Sequence, residues 1–380
     1  MKEEIGRIMK KRIWILLLCI CLTLLPSCVG VEQFQRNDAK DSETGLLEVH
    51  FIDVGQGDST LLICDGEAML IDAGNNDQGT KIQNYLTKQG VKKLKYMIGT
   101  HPDADHIGGM DVVLYKFDCD TILMPSEAKD TATYRDVIDT MKNKGYQNTL
   151  PQVGKEYTLG EAVFTILSPG KEYDNSNDNS IAIRVLYGKK SFLFTGDGEE
   201  EAEEDMLRSG LVLKADVYKA GHHGSRTASS EKFMKTVSPQ YAVISCKEGN
   251  SYGHPHAATM NTFRAMGIDV FRTDEQGTIV AKCDKETITF NASPSDTWKA
   301  GEPTGTGKKQ NHIKNEKQEN LQGKEEKRNS SYICNTNTMK FHLESCQSVQ
   351  NMKKENKQEV FTNREELINQ GYKPCGTCNP

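Results

Sequence analysis

The sequence predicts a mixed α/β fold followed by a small second domain near the carboxyl terminus. Short apolar segments typical of strands alternate with segments of helical periodicity. Several of the strand segments end in clusters of histidine, aspartate and glycine. Residues 332–380, in contrast, contain several cysteines and are too few to rely on an apolar core alone.

The individual elements follow from local periodicity and from the turn residues that bound them. We expect strands at 49–53, 60–64, 68–72, 96–100, 163–167, 181–187, 191–195 and 215–220, because these runs are mostly apolar and most of them end at or just before glycine or aspartate. We expect helices near 81–88, 134–144 and 199–208.

Four potential metal ligands stand together after the strand predicted at 96–100. They are His101, Asp103, Asp105 and His106, and a glycine pair follows. Alternate residues of a strand share a face, so His101 and Asp103 point to one side, whereas the turn into a helix directs Asp105 and His106 to a second point. A solvated turn that caps the following helix is the alternative interpretation.

Three later segments supply further ligands. Asp197 lies between two glycines after an apolar strand, His222 and His223 follow the strand at 215–220, and His254 and His256 flank a proline. Of the nine histidines in the chain, six fall in these clusters and in the one near residue 100, which argues against scattered core histidines. Imidazole and carboxylate are common ligands of zinc and manganese.

These motifs together resemble the metallo-β-lactamase superfamily, and more closely the hydrolase domain of ComEC-type DNA-uptake competence proteins. The matching segments, in order, are HFIDVGQGDS at 50–59, LIDAG at 70–74, THPDADHIGG at 100–109, NDNS at 177–180, FTGD at 194–197, HHGS at 222–225 and YGHPH at 252–256. The resemblance implies a four-layer αββα metallo-β-lactamase sandwich over residues 47–291, with metals at one edge between two mixed sheets.

Carried over by position, the resemblance implies two metal sites. His101 and Asp103 would hold the first, Asp105, His106 and His222 the second, and Asp197 would bridge them. Where the commoner superfamily pattern has histidines, this chain has Asp103 and the segment 178–180. The expected cofactors are two divalent ions, Zn²⁺ or Mn²⁺. Oxygen-rich sites favour manganese relative to zinc, so these two departures favour Mn²⁺.

Two divalent cations about 3.5–4 Å apart generate a hydroxide that attacks a phosphodiester. The predicted catalytic residues are Asp105, His223 and His254, with His223, His254 or His256 as the group that protonates the leaving oxygen or holds a phosphate oxygen. The YGHPH segment could equally be a structural loop. Asp53, Gln56, Asp58 and Asp72 lie in the early motifs, where supporting or turn roles are expected.

The amino terminus predicts export. Basic residues precede an apolar run at 13–25, which is shorter than the about 20 residues of a membrane span. The sequence Leu25-Pro26-Ser27-Cys28 resembles a bacterial lipobox, which implies a lipoprotein signal peptide at 1–27, lipidation of Cys28 and a tether at 28–46. A retained membrane anchor is the alternative. The protein is expected to be lipid-anchored to the outer face of the cell membrane or secreted.

The formal net charge of −6 argues against tight non-specific binding of polyanions. Residues 292–331 are mostly polar and charged and predict a flexible linker. The module at 332–380 carries His342, Cys346, Cys375 and Cys378, which suit a closed zinc site, although disulfides are an alternative in an exported protein. It resembles the zinc-binding module of Ada-type DNA alkylation-repair proteins, with His342 where that family has cysteine, so a structural or DNA-docking role is expected.

The expected function is that of an exported metal-dependent nuclease acting on extracellular or incoming DNA. A hydrolase of a small or cell-wall-linked phosphodiester is the second enzyme hypothesis. A non-catalytic, lipid-anchored protein that captures DNA is the competing class, and the presence of Asp105, His106, Asp197 and His222 argues against it. Protein partners are not predicted.

Overall fold

Two mixed sheets face each other in the larger unit of the computed structural model. The structure describes residues 45–301, 330–343, 346–350, 352–362, 367, 372–375 and 378. The predicted signal peptide, the predicted lipidation site Cys28 and most of the predicted linker lie outside these residues. The chain divides into two units near residue 308.

The first sheet has eight strands. In spatial order they are β15 (Ile288–Phe290), β14 (Ile279–Cys283), β1 (Leu47–Phe51), β2 (Thr60–Cys64), β3 (Glu67–Ile71), β4 (Lys93–Ile98), β5 (Asp118–Leu123) and β6 (Asn148–Thr149). β2 is antiparallel to both β1 and β3, and β3 to β6 are parallel. The carboxyl ends of β1, β3 and β4 therefore lie at the same edge.

The second sheet has seven strands. In spatial order they are β13 (Asp269–Arg272), β12 (Tyr241–Ile244), β11 (Val217–Lys219), β10 (Lys190–Phe194), β9 (Ala182–Tyr187), β8 (Ala162–Ser168) and β7 (Glu156–Leu159). β10 to β13 are parallel, whereas β7 to β10 are antiparallel. The carboxyl ends of β10 to β13 therefore lie at one edge of the second sheet.

Helices cover the outer face of each sheet. Against the first sheet lie α1 (Gly79–Lys88), α2 (Ala104–Ile107), α3 (Met110–Lys116) and α4 (Ala132–Asn143). Against the second lie α5 (Glu200–Arg208), α6 (Glu231–Val237) and α7 (Ala257–Ala265), and the short α8 (Thr273–Gln276) follows β13. The predicted four-layer αββα arrangement is confirmed, and the predicted strands and helices agree with observed elements to within a few residues.

The core between the sheets is apolar and aromatic. Phe51, Phe164 and Phe192 are fully buried there, and β-branched residues such as Val217 and Ile279 pack beside them. Burial of each such side chain stabilises the fold by about 1.5–3 kcal/mol. Because this layer makes the two sheets one body, the loops at their common edge are held at constant separation.

Residues 292–301 lie on the larger unit, although the predicted linker includes them. The amide of Ser295 donates to the Val270 carbonyl at 2.7 Å, and the amide of Gly301 donates to the Pro255 carbonyl at 2.8 Å. Trp298 packs against the outer apolar cluster of the second sheet. The one large aromatic ring in an otherwise polar segment is what allows this segment to dock.

Among the described helices, none combines the length and the apolar character needed to traverse a bilayer.

The smaller unit is built on a four-stranded sheet. In spatial order its strands are β18 (Lys357–Thr362), β16 (Ser330–Asn335), β17 (Lys340–His342) and β19 (Lys373–Pro374), and α9 (Gln347–Gln350) lies between β17 and β18 in sequence. Its apolar residues form two small clusters, one around Phe341 and one around Cys346 and Val349. So small a core needs additional cross-links to be stable.

The loop after β1 packs directly on the loop after β4. The amide of Asp58 donates to the Asp105 carbonyl at 3.1 Å. Gly57, with φ +146°, lies so near that a Cβ atom would stand 2.5 Å from the same carbonyl oxygen. No residue with a side chain fits there without displacing one loop.

We therefore expect Gly57→Ala to destabilise the fold more than an alanine at an open glycine with positive φ. Gly145→Ala is the control, because φ is +72° and nothing lies near the added Cβ. The control loses about 1 kcal/mol from backbone strain, and Gly57→Ala loses about 1–3 kcal/mol more from overpacking. Urea unfolding of both variants measures this, and equal losses would contradict the close packing of the two loops.

Glu203 on α5 is a buried carboxyl that supports the segment before α6. Its two carboxylate oxygens accept hydrogen bonds from the amides of Ser229 (2.6 Å) and Ser230 (3.0 Å). Burial raises the pKa of Glu203 from 4.5 to about 7, because the hydrogen bonds from Ser230 and Ser229 only partly offset the loss of water.

This raised pKa predicts a pH dependence of stability. The folded protein holds the Glu203 proton more tightly than the unfolded chain, so its contribution is complete below 4.5 and is lost as the pH rises towards 7. Relative to Glu203→Gln, the free energy of unfolding should fall by about 2–3 kcal/mol between about pH 5 and about pH 8. Glu201→Gln, exposed on the same helix, is the control and should follow the unchanged protein. Parallel curves for the unchanged protein and Glu203→Gln would refute the prediction.

Candidate metal centre

The polar motifs meet at the shared edge of the two sheets. Asp72 directly follows β3, His101 follows β4, Asp197 follows β10 and the pair His222 and His223 follows β11. The loop after β1 brings Asp58 to the same place. The motifs are separated along the sequence by up to about 165 residues, from Asp58 to His223, and they converge because parallel strands end together.

Imidazole and carboxylate groups from these loops form one compact group, the inner cluster of His101, Asp105, His106, Asp197 and His223. His106 Nε2 lies 3.2 Å from an oxygen of Asp197, and His223 Nε2 lies 3.3 Å from an oxygen of Asp105 and 3.6 Å from one of Asp197. The ligand atoms of His101, His106 and Asp197 all lie within 4.8 Å of one another, and so do those of Asp105, His106 and His223. This spacing suits a metal ion held by either group.

Several of these atoms are buried and make no hydrogen bond, although His106 Nε2 and Asp197 Oδ1 face each other at 3.2 Å as an ion pair. Within the described part of the chain this holds for the Nε2 atoms of His101, His106 and His223 and for Oδ1 of Asp197. A buried polar atom without a partner is unfavourable by about 1–3 kcal/mol. Four such atoms in one cluster fit bound cations, which would give each of them a partner.

The opposite nitrogen of two of these imidazoles faces a buried carboxylate. Asp72 Oδ2 lies 2.8 Å from His106 Nδ1, and Asp72 also accepts hydrogen bonds from the amide and hydroxyl of Thr100. His223 Nδ1 lies 3.1 Å from the Ser245 carbonyl oxygen, to which it donates, and 3.4 Å from Asp58 Oδ1. The other oxygen of Asp58 accepts a bond of 2.9 Å from the buried Lys219. Such partners set the orientation of a metal-binding imidazole and direct its Nε2 to the centre.

Ser180 supports the remaining side of the cluster. Its hydroxyl oxygen accepts from the Asp197 amide at 3.1 Å and lies 3.3 Å from His101 Nδ1. It belongs to the NDNS segment, where the sequence offered no histidine. The neighbouring Asp178 accepts from the amides of Glu199 and Ala202 and thus caps the start of α5.

The backbone of the histidine pair is in an uncommon conformation. His222 has φ +46° and His223 has φ +52°, both left-handed, and Gly224 follows with φ +81°. Left-handed residues other than glycine are unfavourable by about 1–3 kcal/mol each and are concentrated at functional sites. The close-packed surroundings hold this turn so that His223 points inward.

The charges of the cluster are strongly coupled. Burial alone would lower the pKa of His106, but the carboxylates of Asp197, Asp72 and Asp105 outweigh it and raise that pKa well above its usual value. In the same way, Asp197 and Asp58 raise the pKa of His223 to about 10 against the effect of burial. The imidazoles thus carry protons where a cation would fit, so metal binding must displace protons.

His222 and Asp103, both expected as ligands, lie at the rim. His222 Nδ1 is 3.0 Å from Glu199 Oε1 and its Nε2 is 3.7 Å from Asp197, with the side chain 22% exposed. The Asp103 carboxylate is ion-paired with Lys129. Among the described residues, His223 rather than His222 joins the inner cluster, because the left-handed turn directs the second histidine inward. Nothing in the sequence around Lys129 signals its role.

The two histidines of the YGHPH segment differ in their contacts. His256 Nδ1 accepts from the Arg226 amide at 2.9 Å and its Nε2 lies 3.1 Å from the Tyr252 carbonyl, so His256 holds the loop. His254 instead lines the cavity of about 130 Å³ at the cluster, and its Nδ1 is 3.4 Å from the Gln56 side-chain nitrogen. Burial and the positive charges of His223 and His222 lower the pKa of His254 to about 3.

The smaller unit holds a second candidate site. The ligand atoms of His342, Cys346, Cys375 and Cys378 lie within 4.8 Å of one another, and His342 Nδ1 is buried without a partner among the described residues. Among the described residues these cysteines form no disulfide, and Cys334 belongs to the other apolar cluster of this unit. One nitrogen and three sulfurs at this spacing fit a closed tetrahedral zinc site.

Comparison with known proteins agrees with this geometry. Competence protein ComA of Neisseria gonorrhoeae is 30% identical over 70% of this chain and 38% of its own. ComE operon protein 3 of Bacillus subtilis (strain 168) is 31% identical over 65% of this chain and 34% of its own. The chain thus spans about a third of the length of these curated relatives.

The crystal structure of the metallo-beta-lactamase fold protein YhfI from Bacillus subtilis is 13% identical, covering 62% of this chain and 100% of its own, with a TM-score of 0.42. The sequence model of the metallo-beta-lactamase superfamily matches residues 52–247, which span β2 to β12 and every loop of the inner cluster. By that match, this chain belongs to the metallo-beta-lactamase superfamily.

Proposed function

We propose that this protein is an exported, metal-dependent phosphodiesterase that acts as a nuclease on extracellular or incoming DNA. The observation that carries the proposal is the convergence of buried, unpartnered atoms of His101, His106, His223 and Asp197 beside Asp105. The name of one relative, a competence protein, favours DNA among phosphodiesters. Lipid anchoring through Cys28 remains part of the proposal.

The proposed ligands follow the inner cluster. His101 and Asp197 would hold one cation, Asp105, His106 and His223 the other, and Asp197 lies within reach of both positions. His223 takes the role that the sequence assigned to His222, which would contribute from the rim. Asp103 could join the first site only by leaving Lys129. Zn²⁺ and Mn²⁺ both accept this nitrogen and oxygen set.

When bound, two divalent cations supply Lewis acidity for hydrolysis of a phosphodiester. Asp72 keeps His106, and the Ser245 carbonyl keeps His223, in the tautomer that leaves Nε2 free for the metal. With its low pKa, His254 is neutral near pH 7 and can donate or accept a hydrogen bond to a phosphate oxygen without carrying charge. Divalent cations nearby would keep it neutral, so we assign His254 to positioning the substrate.

We expect the purified chain to cleave labelled DNA only with added Mn²⁺ or Zn²⁺. Asp105→Asn and Asp197→Asn should each lower the rate more than about 100-fold, beyond the 10- to 100-fold typical of residues that merely orient a ligand. Asp139→Asn, an exposed aspartate of α4, is the control and should keep full activity. Single- and double-stranded substrates assayed side by side give the strand preference.

The other outcomes of this assay select the competing hypotheses. Tight DNA binding without turnover would support the capture protein. Cleavage restricted to small diesters would support the hydrolase of small or cell-wall-linked phosphodiesters. Metal-independent cleavage that survives both substitutions would overturn the proposed centre.

For the smaller unit we propose a structural Zn²⁺ bound by His342, Cys346, Cys375 and Cys378. Cys375→Ser should release one equivalent of zinc, measured by elemental mass spectrometry, because a tetrahedral site loses one of its four ligands. Cys334→Ser is the control and should retain that zinc, since Cys334 lies in the other cluster. Thiol titration that finds disulfides in the native protein would instead favour the cross-linked alternative.

A further inference from the structure

A rigid loop presents one exposed aromatic ring at the mouth of the candidate metal centre. The Asn250 side chain holds this loop, donating to the Lys247 and His254 carbonyls at 2.9 and 2.6 Å. Its oxygen accepts from the amides of Tyr252 and His254 at 3.1 and 3.0 Å. The backbone of Tyr252 is therefore fixed before any ligand arrives.

The ring of Tyr252 is 64% exposed and yet borders the cavity that contains the cluster. It stacks on His254 with 5.6 Å between ring centroids and 20° between planes, and His254 stacks on His223 at 6.1 Å and 28°. Two ring-to-ring steps thus join an exposed aromatic face to a buried imidazole of the metal centre. A nucleotide next to a phosphodiester bound in this cavity would therefore meet the outer face of Tyr252.

The charges around this cavity indicate what kind of contact binds the substrate. The described residues that line it include Asp103, Asp105 and Asp197 but no lysine or arginine. A polyanion that enters the cavity consequently meets no lysine or arginine on its walls. Affinity beyond that supplied by the metals and the imidazoles must come from uncharged contacts, and the exposed, preorganised ring of Tyr252 offers one.

We propose that Tyr252 is the stacking platform for the nucleobase next to the cleaved phosphodiester. This inference rests on the proposed function, and it adds that the substrate must present an unpaired base, which means a single strand or an unpaired end. Stacking on an aromatic side chain tolerates every base, so no sequence preference is expected from this contact. Tyr252 acts in substrate binding and not in the chemical step.

The first test measures stacking without turnover. A single-stranded oligonucleotide carrying the fluorescent base 2-aminopurine is titrated into the full chain bearing Asp105→Asn. When Tyr252→Phe is added to this background, the protein should bind the oligonucleotide and quench its 2-aminopurine fluorescence as well as the protein that keeps Tyr252, because an aromatic ring remains. Tyr252→Ala should weaken binding about 10-fold and remove the quenching. Tyr115→Ala, which removes a tyrosine 70% exposed elsewhere on the surface, is the control. Unchanged quenching with Tyr252→Ala would overturn the platform.

The second test separates this inference from the proposed function. In the active chain, Tyr252→Ala should raise KM about 10-fold for an oligonucleotide and leave kcat nearly unchanged. On an oligonucleotide with abasic residues beside the scissile bond, the same substitution should have no effect. Equal losses on both substrates would overturn the platform and leave the nuclease standing. If the unchanged chain neither cleaves nor binds oligonucleotides, the proposed function and the platform fail together.

Discussion

Two buried carboxylates behind two imidazoles are the interaction on which the site depends. Asp72 is hydrogen-bonded to His106 Nδ1, and Asp58 lies 3.4 Å from His223 Nδ1, which donates to the Ser245 carbonyl. Lys219, itself buried, neutralises Asp58 at 2.9 Å. A buried charge is tolerated only when it is paired, so loss of Lys219 would leave Asp58 uncompensated beside His223. The fold thus supports the inner cluster with buried charged residues behind it, namely Asp58, Asp72 and Lys219.

The two sheets make this arrangement possible. Asp58 and Asp72 come from the first sheet, while Lys219 and His223 come from the second. The aromatic core between the sheets keeps the residues of the first sheet at a constant distance from those of the second. Close approaches such as that of Gly57 to the Asp105 carbonyl leave the loops little freedom. A site assembled from two rigid layers is preorganised. Metal binding by several side chains requires this, because each side chain must already be close to its binding geometry.

The mouth of the site differs in character from its interior. Inside, opposite charges are crowded together and buried. At the rim, Tyr252 and Gln56 supply uncharged contacts above the buried His254, beside the ion pairs Asp103–Lys129 and His222–Glu199. The YGHPH loop is fixed by Asn250 and His256. The acidic net charge of the chain agrees with such a division, since binding would rely on metals and stacking more than on a basic surface.

Local sequence was enough to indicate a mixed α/β fold and the strand ends that carry the histidine and aspartate motifs, because alternating elements and dense polar motifs are short-range signals. The four-layer αββα arrangement followed from the resemblance to the metallo-β-lactamase superfamily. It could not decide between His222 and His223, since that choice depends on a left-handed backbone turn enforced by surrounding packing. Nor could it show that Asp103 faces Lys129 or that residues 292–301 dock through Trp298. Those outcomes depend on contacts between residues distant in the chain, which only the tertiary structure brings together.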